Sequence, residues 1–303
     1  MPQYPAIARE TIEEAGIKID YIGGTSMGAI VGGLYASGYN ASQIDSIFQT
    51  SDFDKLLKDF TPRSSKNFYE KNSDEKYALT LPFDKFKVGI PYAYSKGLNI
   101  YGLFNRLLHD NRHVRDFDEL QTPFLCIATD IETGKQVVLN KGYLPQAIMA
   151  SATFPSLFSP ILINDKLLID GGVANNYPIE EVKKMGANFI IGVDVQDSLK
   201  SRVSLNNATR ILVQISNLQM IEKMPEKRKQ TNIYIKPDIS DYTVISFSEG
   251  DEIIKKGEEA SRAVFEKLKV LGTNYRKPKF KTATSQTDSI HIGEIHINKL
   301  DNY

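Results

Sequence analysis

The order of elements along the chain predicts an α/β fold of three layers, α/β/α, with helices covering both faces of a mainly parallel central sheet. Two observations carry this expectation. Short β-branched runs alternate with segments of helical periodicity from Ile17 to Leu268, a pattern that sets strands side by side beneath crossover helices. Gly23 and Gly24 stand directly between a strong strand pattern and a strong helix pattern, the junction of a βα unit.

Each element follows in turn. Ala6 to Ala15 reads as a helix closed by Gly16, and Ile17 to Ile22 as a buried strand that ends in the turn Gly23-Gly24. Ser26 to Ser37 has small and apolar residues at helical spacing, and a second helix runs from Ala41 to Gln49. Ser51 to Gly97 is rich in charge and aromatics and reads as an insertion with a strand-like Lys85 to Tyr94. Asn99 to His109 is amphipathic. Strand patterning returns at Pro123 to Thr129, Gln136 to Leu139, Leu167 to Ile169, Phe189 to Val193 and Ile233 to Ile235. Helices are expected at Ile179 to Met185, Ala208 to Glu222 and Glu249 to Leu268.

The composition suits a packed enzyme domain: 303 residues, 41% hydrophobic and 24% charged. Lys+Arg and Asp+Glu number 37 each, so no global field favours nucleic acid, and no nucleic-acid partner is expected. The single cysteine, Cys126, lies in an apolar run and excludes an intrachain disulfide. No apolar stretch approaches the roughly 18 residues of a membrane-spanning helix.

Gly24-Thr25-Ser26-Met27-Gly28 is a G-x-S-x-G element between strand and helix, the setting of a nucleophile elbow. Ser26 there would sit at a helix N-terminus, whose dipole favours a developing negative charge. The alternative is a Gly/Ser turn without chemistry. A serine hydroxyl needs a base, and none of the four histidines suits. His291 and His296 fall in a polar tail, whereas His109 and His113 read as surface or packing residues rather than a metal pair. Asp170, after an apolar strand and before Gly171-Gly172, is the remaining candidate, placed to emerge at the sheet edge where the elbow opens. Partial burial would raise its pKa toward working pH. The alternative there is a capping Asp-Gly turn.

These motifs, with Ala128 to Gly134, Ala147 to Ala152 and Asp170 to Pro178, occur in an order that resembles the patatin-like phospholipases, including bacterial acyl hydrolases related to neuropathy target esterase. The resemblance runs from about Ala15 to Leu268. It implies a patatin-like fold, a Ser26-Asp170 dyad acting through an acyl-enzyme, and a substrate that is a phospholipid, lysophospholipid or other acyl-ester lipid. It implies no metal and no organic cofactor, and it brings in a membrane surface as a partner. Asn99 to His109 and Phe86 to Tyr94 are candidates to line an apolar channel.

In one respect the chain departs from the family. Its members carry a glycine-rich loop before the first helix, whose N–H groups form the oxyanion hole, and Met1 to Pro5 supplies none. The expectation is a domain over 1–271 without its first strand and loop, with the Met27 N–H as the remaining oxyanion donor and with weak or no turnover. Gly272 to Thr287 reads as a linker, and Asp288 to Tyr303 resembles the opening of a POTRA-type domain. That likeness suggests an outer-membrane or secreted bacterial protein, with the cytoplasm as the alternative. Two rival functions remain: a catalytically silent binding or regulatory domain, and a lipid acyltransferase.

Overall fold

The structure is a computed structural model that describes residues 11–57, 95–196, 199–202, 208–242 and 249–272, with isolated positions between 68 and 93 and at 205. The start of the first expected helix, the segment Met1 to Pro5, most of Lys85 to Tyr94, His291 and His296, and the linker and closing strand after residue 272 lie outside the described residues.

Strand β1, Ile22–Thr25, leads directly into helix α1, Met27–Ala36. Helix α2, Ala41–Thr50, opens with a capping box in which the side chains of Asn40 and Gln43 each accept the other's backbone N–H. Helix α3 is Phe53–Leu57, the short strands β2 and β3 are Phe83–Asp84 and Lys87–Val88, and α4 is Leu98–Leu107. Next come β4, Phe124–Asp130, β5, Gln136–Leu139, and α5, Leu144–Ser151. Strands β6, Ile161–Ile163, and β7, Lys166–Asp170, then form a hairpin. The last described elements are α6, Ile179–Lys184, β8, Ile191–Val193, α7, Ala208–Lys229, β9, Ile233–Ile235, α8, Gly250–Arg262, and α9, Phe265–Gly272.

Strand β4 is the axis of the fold, with all seven residues buried. Strand β5 pairs antiparallel with Cys126 to Thr129 on one edge. The other edge is shared. Strand β1 runs parallel to β4 and places Thr25 opposite Ile127, while β7 runs antiparallel and places Asp170 opposite Ala128. The two strands therefore run head-on along one edge and both stop where they meet.

The expectation of a mainly parallel sheet needs correction: among the described residues of the main sheet only β1 with β4 is parallel, and β4–β5, β4–β7 and β6–β7 are antiparallel. Strands β8 and β9 form a separate parallel pair. For β6 and β7 the reason is local turn chemistry. Asn164 and Asp165 both take positive φ, 50° and 58°, the conformation of a two-residue hairpin turn, so β6 and β7 fold back without a crossover helix.

The layers follow from alternation along β1. Ile22 packs against Gly32 of α1, and the next residue, Gly23, faces Val182 of α6, so helices cover both faces. The core on the α1 side includes Leu34, Phe124, Ile148 and Leu168, each buried; burying a side chain of this size stabilises by about 1.5–3 kcal/mol. A second cluster joins Ile12 and Ile17 to Ile233, Ile235 and Leu268. Cys126 is buried in β4 opposite Gly24, and burial pushes its thiol pKa far up. Among the described residues no helix is long and apolar enough to cross a membrane.

Candidate active site

The strand that ends at Thr25 and the helix that begins at Met27 leave one residue for the turn. Ser26 makes it with φ 55° and ψ −119°, a conformation that costs a non-glycine residue about 1–3 kcal/mol. The turn is tight because helix folds back on strand: a Cβ on Gly24 would lie 2.2 Å from the Gly28 carbonyl oxygen. Gly23 and Gly24 thus belong to β1, later than the expected strand of Ile17 to Ile22. The other motif glycine, Gly28, has open space where a Cβ would go, so collision does not explain it. Met27 is the first helical residue, and its N–H is among those with no carbonyl one turn earlier.

Asp170 reaches the same point from the opposite direction. Its carbonyl accepts the Thr129 hydroxyl at 2.9 Å, and its N–H donates to Thr153 O at 2.8 Å. Gly171 has no room for a side chain, since a Cβ would lie 2.1 Å from Ile127 O. The backbone can then curl, and the Gly172 N–H donates to Asp170 Oδ1 at 2.7 Å. The second carboxylate oxygen, Oδ2, accepts the Ser26 hydroxyl at 2.5 Å.

The electrostatics follow from burial. Asp170 is 4% exposed, and desolvation pushes its carboxyl from the ordinary 3.8 up to about 6, while the hydrogen bonds from Ser26 and the Gly172 N–H pull it back. Such a group is ionised at neutral pH yet is a far better proton acceptor than a free carboxylate.

Several residues that sequence reasoning gave no role hold this pair. Ser151, fully buried at the end of α5, accepts the Ser26 backbone N–H at 3.1 Å and donates to Ile127 O at 2.5 Å. Thr25 donates to Asn175 O at 2.9 Å, tying the residue before Ser26 to the loop after Asp170. Serines and threonines at strand and helix ends are too common to be singled out from one sequence. His109 and His113 are exposed, apart from the pair.

Beside Met27, the residue after Ser26, lies an apolar cleft partly open to solvent. Met27, Ile30 and Leu34 of α1 form one wall, and Ile100, Leu103 and Phe104 of α4 face them. The expected contribution of Asn99 to His109 to an apolar channel has this physical counterpart.

The chain is 28% identical over 288 residues to lysophospholipase NTE1 of Meyerozyma guilliermondii, covering 86% of this chain and 18% of that protein. It is 29% identical over 285 residues to lysophospholipase NTE1 of Saccharomyces cerevisiae, covering 86% of this chain and 15% of that protein. The chain thus spans less than a fifth of the length of these relatives. The solved structure of VipD from Legionella pneumophila superposes with a TM-score of 0.49 at 14% identity, over 87% of this chain and 64% of that one. The family model described as patatin-like phospholipase matches residues 4–183, a segment that holds both Ser26 and Asp170, and the chain belongs to that family.

Proposed function

We propose that the protein is a serine acyl hydrolase that cleaves fatty acyl esters of phospholipids or lysophospholipids, with Ser26 as nucleophile and Asp170 as general base. The observation that carries this is the 2.5 Å hydrogen bond from Ser26 Oγ to a buried carboxylate whose pKa lies at about 6. Asp170 accepts the hydroxyl proton as Ser26 Oγ attacks the ester carbonyl. The Met27 N–H and the positive end of α1 face the negative charge that develops on the carbonyl oxygen. The tetrahedral intermediate collapses to an acyl-Ser26 ester, and the departing alcohol takes the proton from Asp170. Water then enters, gives its proton to Asp170 and attacks the acyl carbon; the fatty acid leaves and Ser26 recovers its proton.

The apolar walls of the cleft suit an acyl chain. Lipid as substrate agrees with the family and with the lysophospholipase name of the relatives. The test is hydrolysis of p-nitrophenyl butyrate and of lysophosphatidylcholine by the 303-residue chain beside Ser26→Ala. Turnover that falls at least about 10³-fold in the variant is expected. Turnover that survives the substitution would remove Ser26 from the reaction, and acyl transfer to an added alcohol in place of fatty acid release would mark a transferase.

A further inference from the structure

Behind the Ser26-Asp170 pair lies a buried polar cluster assembled from three distant parts of the chain. Lys227, in the last turn of α7, has a side chain only 9% exposed. Its ammonium group donates to Asn175 Oδ1 at 2.6 Å and to Tyr177 O at 2.7 Å, and the half-exposed Glu180 carboxylate lies at 3.3 Å. Asn175 is itself buried and donates from Nδ2 to Gln136 Oε1 at 2.7 Å and to Glu181 Oε2 at 3.0 Å. Gln136 closes the ring by donating to Glu181 Oε1 at 2.8 Å. A buried ammonium is retained only where such partners replace its water.

The position of Asn175 gives the cluster its meaning. Its backbone N–H donates to Gly171 O at 2.8 Å, one residue past Asp170, and its carbonyl accepts the Thr25 hydroxyl at 2.9 Å, one residue before Ser26. Asn175 therefore bridges the two chain segments that present carboxylate and hydroxyl, and Lys227 fixes Asn175. Lys227 comes from beyond the segment 4–183 that the family model matches. Helix α7 even continues through Pro225 to bring it there, with Thr231 bonded to Lys227 O and Arg228 stacked on Tyr234 holding the final turn.

We infer that Lys227 is a positioning residue for the reaction: through Asn175 its ammonium group holds the Asp170 loop in register with Thr25, and so aligns the Ser26 hydroxyl with the Asp170 carboxylate. The inference rests on the dyad reading above. It separates from that reading in one experiment on the full chain, with Ser26→Ala, Lys227→Met, Lys227→Gln, Asn175→Ala and the double variant Lys227→Met/Asn175→Ala. Each is checked for folding by circular dichroism and assayed with p-nitrophenyl butyrate across pH.

Loss of alignment costs turnover more than binding. Lys227→Met is expected to lower kcat by roughly 10- to 100-fold while KM stays within about twofold. The acid limb of the rate profile should move upward, because a weakened bond from Ser26 no longer stabilises the Asp170 carboxylate. Lys227→Gln, which keeps a donor, should recover part of kcat; should the Met variant fail to fold, the Gln variant carries the same readings. The double variant should match Asn175→Ala within about twofold, since both changes break one linkage. An inactive Ser26→Ala beside Lys227 variants with wild-type kcat and acid limb would overturn the positioning role alone, as would losses that multiply in the double variant. Activity retained in Ser26→Ala would overturn the dyad reading itself.

Discussion

Thr25 and Asp170 are the closing residues of two strands aimed at each other along one edge of β4, opposite the consecutive residues Ile127 and Ala128. Neither strand can extend without meeting the other, so the chain must leave the sheet at both ends. The side chain that follows Thr25 and the side chain of Asp170 then share one gap, and the hydrogen bond between Ser26 and Asp170 closes it.

The pH dependence follows from the buried carboxyl. Only the ionised form of Asp170 accepts a proton, so kcat/KM should decline on the acid side with a midpoint near the pKa of about 6. Below that point the fall should be about tenfold per pH unit. Ester hydrolysis measured from acid to neutral pH checks this, and a midpoint near 4 would mean that a solvated carboxylate, not Asp170, limits the rate.

The same burial has a cost in stability. Asp170 binds its proton more tightly when folded, about 6 against an ordinary 3.8, so this group favours the folded state below pH 3.8 and loses that contribution as pH rises through about 6. Asp170→Asn removes the charge while keeping an acceptor for the Gly172 N–H. It should raise stability at pH 8 by on the order of 3 kcal/mol, a gain that shrinks toward zero at the acid end of the window. Urea unfolding of both proteins at pH 8 and pH 4 reads the difference directly.

Two motif glycines should respond in opposite ways. Gly171→Ala drives a methyl group to about 2.1 Å from Ile127 O, in the backbone that carries the site, and should destabilise by more than about 2 kcal/mol. Gly28→Ala meets open space in the first turn of α1 and should be neutral or stabilising by up to about 1 kcal/mol. Thermal melts of the two variants give the contrast, and equal losses would contradict the packing described here.

The cleft predicts acyl-length dependence. Ile100 of α4 lines it opposite α1, and Ile100→Trp should fill part of the space. The kcat/KM for a p-nitrophenyl palmitate ester should fall by about tenfold or more, while that for the butyrate ester changes less than about threefold. Equal effects on both esters would place the long chain elsewhere.

Much of this was legible in the residues. The βα junction around Ser26, the buried β4 and the Asp170 turn follow from apolar runs bounded by glycines, which are local signals. The Asn164-Asp165 hairpin was missed because an alternating strand and helix pattern does not report strand direction. The single expected helix of Glu249 to Leu268 breaks near Ala263, where the buried Ser261 hydroxyl bonds to Glu258 O and to the Thr11 hydroxyl instead of leaving the helix to run on. Helix α7 runs past Pro225 because tertiary bonds at Lys227 outweigh a lost helical donor. Ser151 and Lys227 matter through neighbours that are close only in space.

The lone thiol at Cys126 offers a built-in reporter. It faces no solvent and sits opposite Gly24 on the strand that seats both Ser26 and Asp170, so a thiol reagent reaches it only when that strand is uncovered. Its labelling rate thus counts openings of the molecule's innermost layer, and slower labelling with a bound acyl phosphonate would show how strongly ligand occupancy keeps that layer shut.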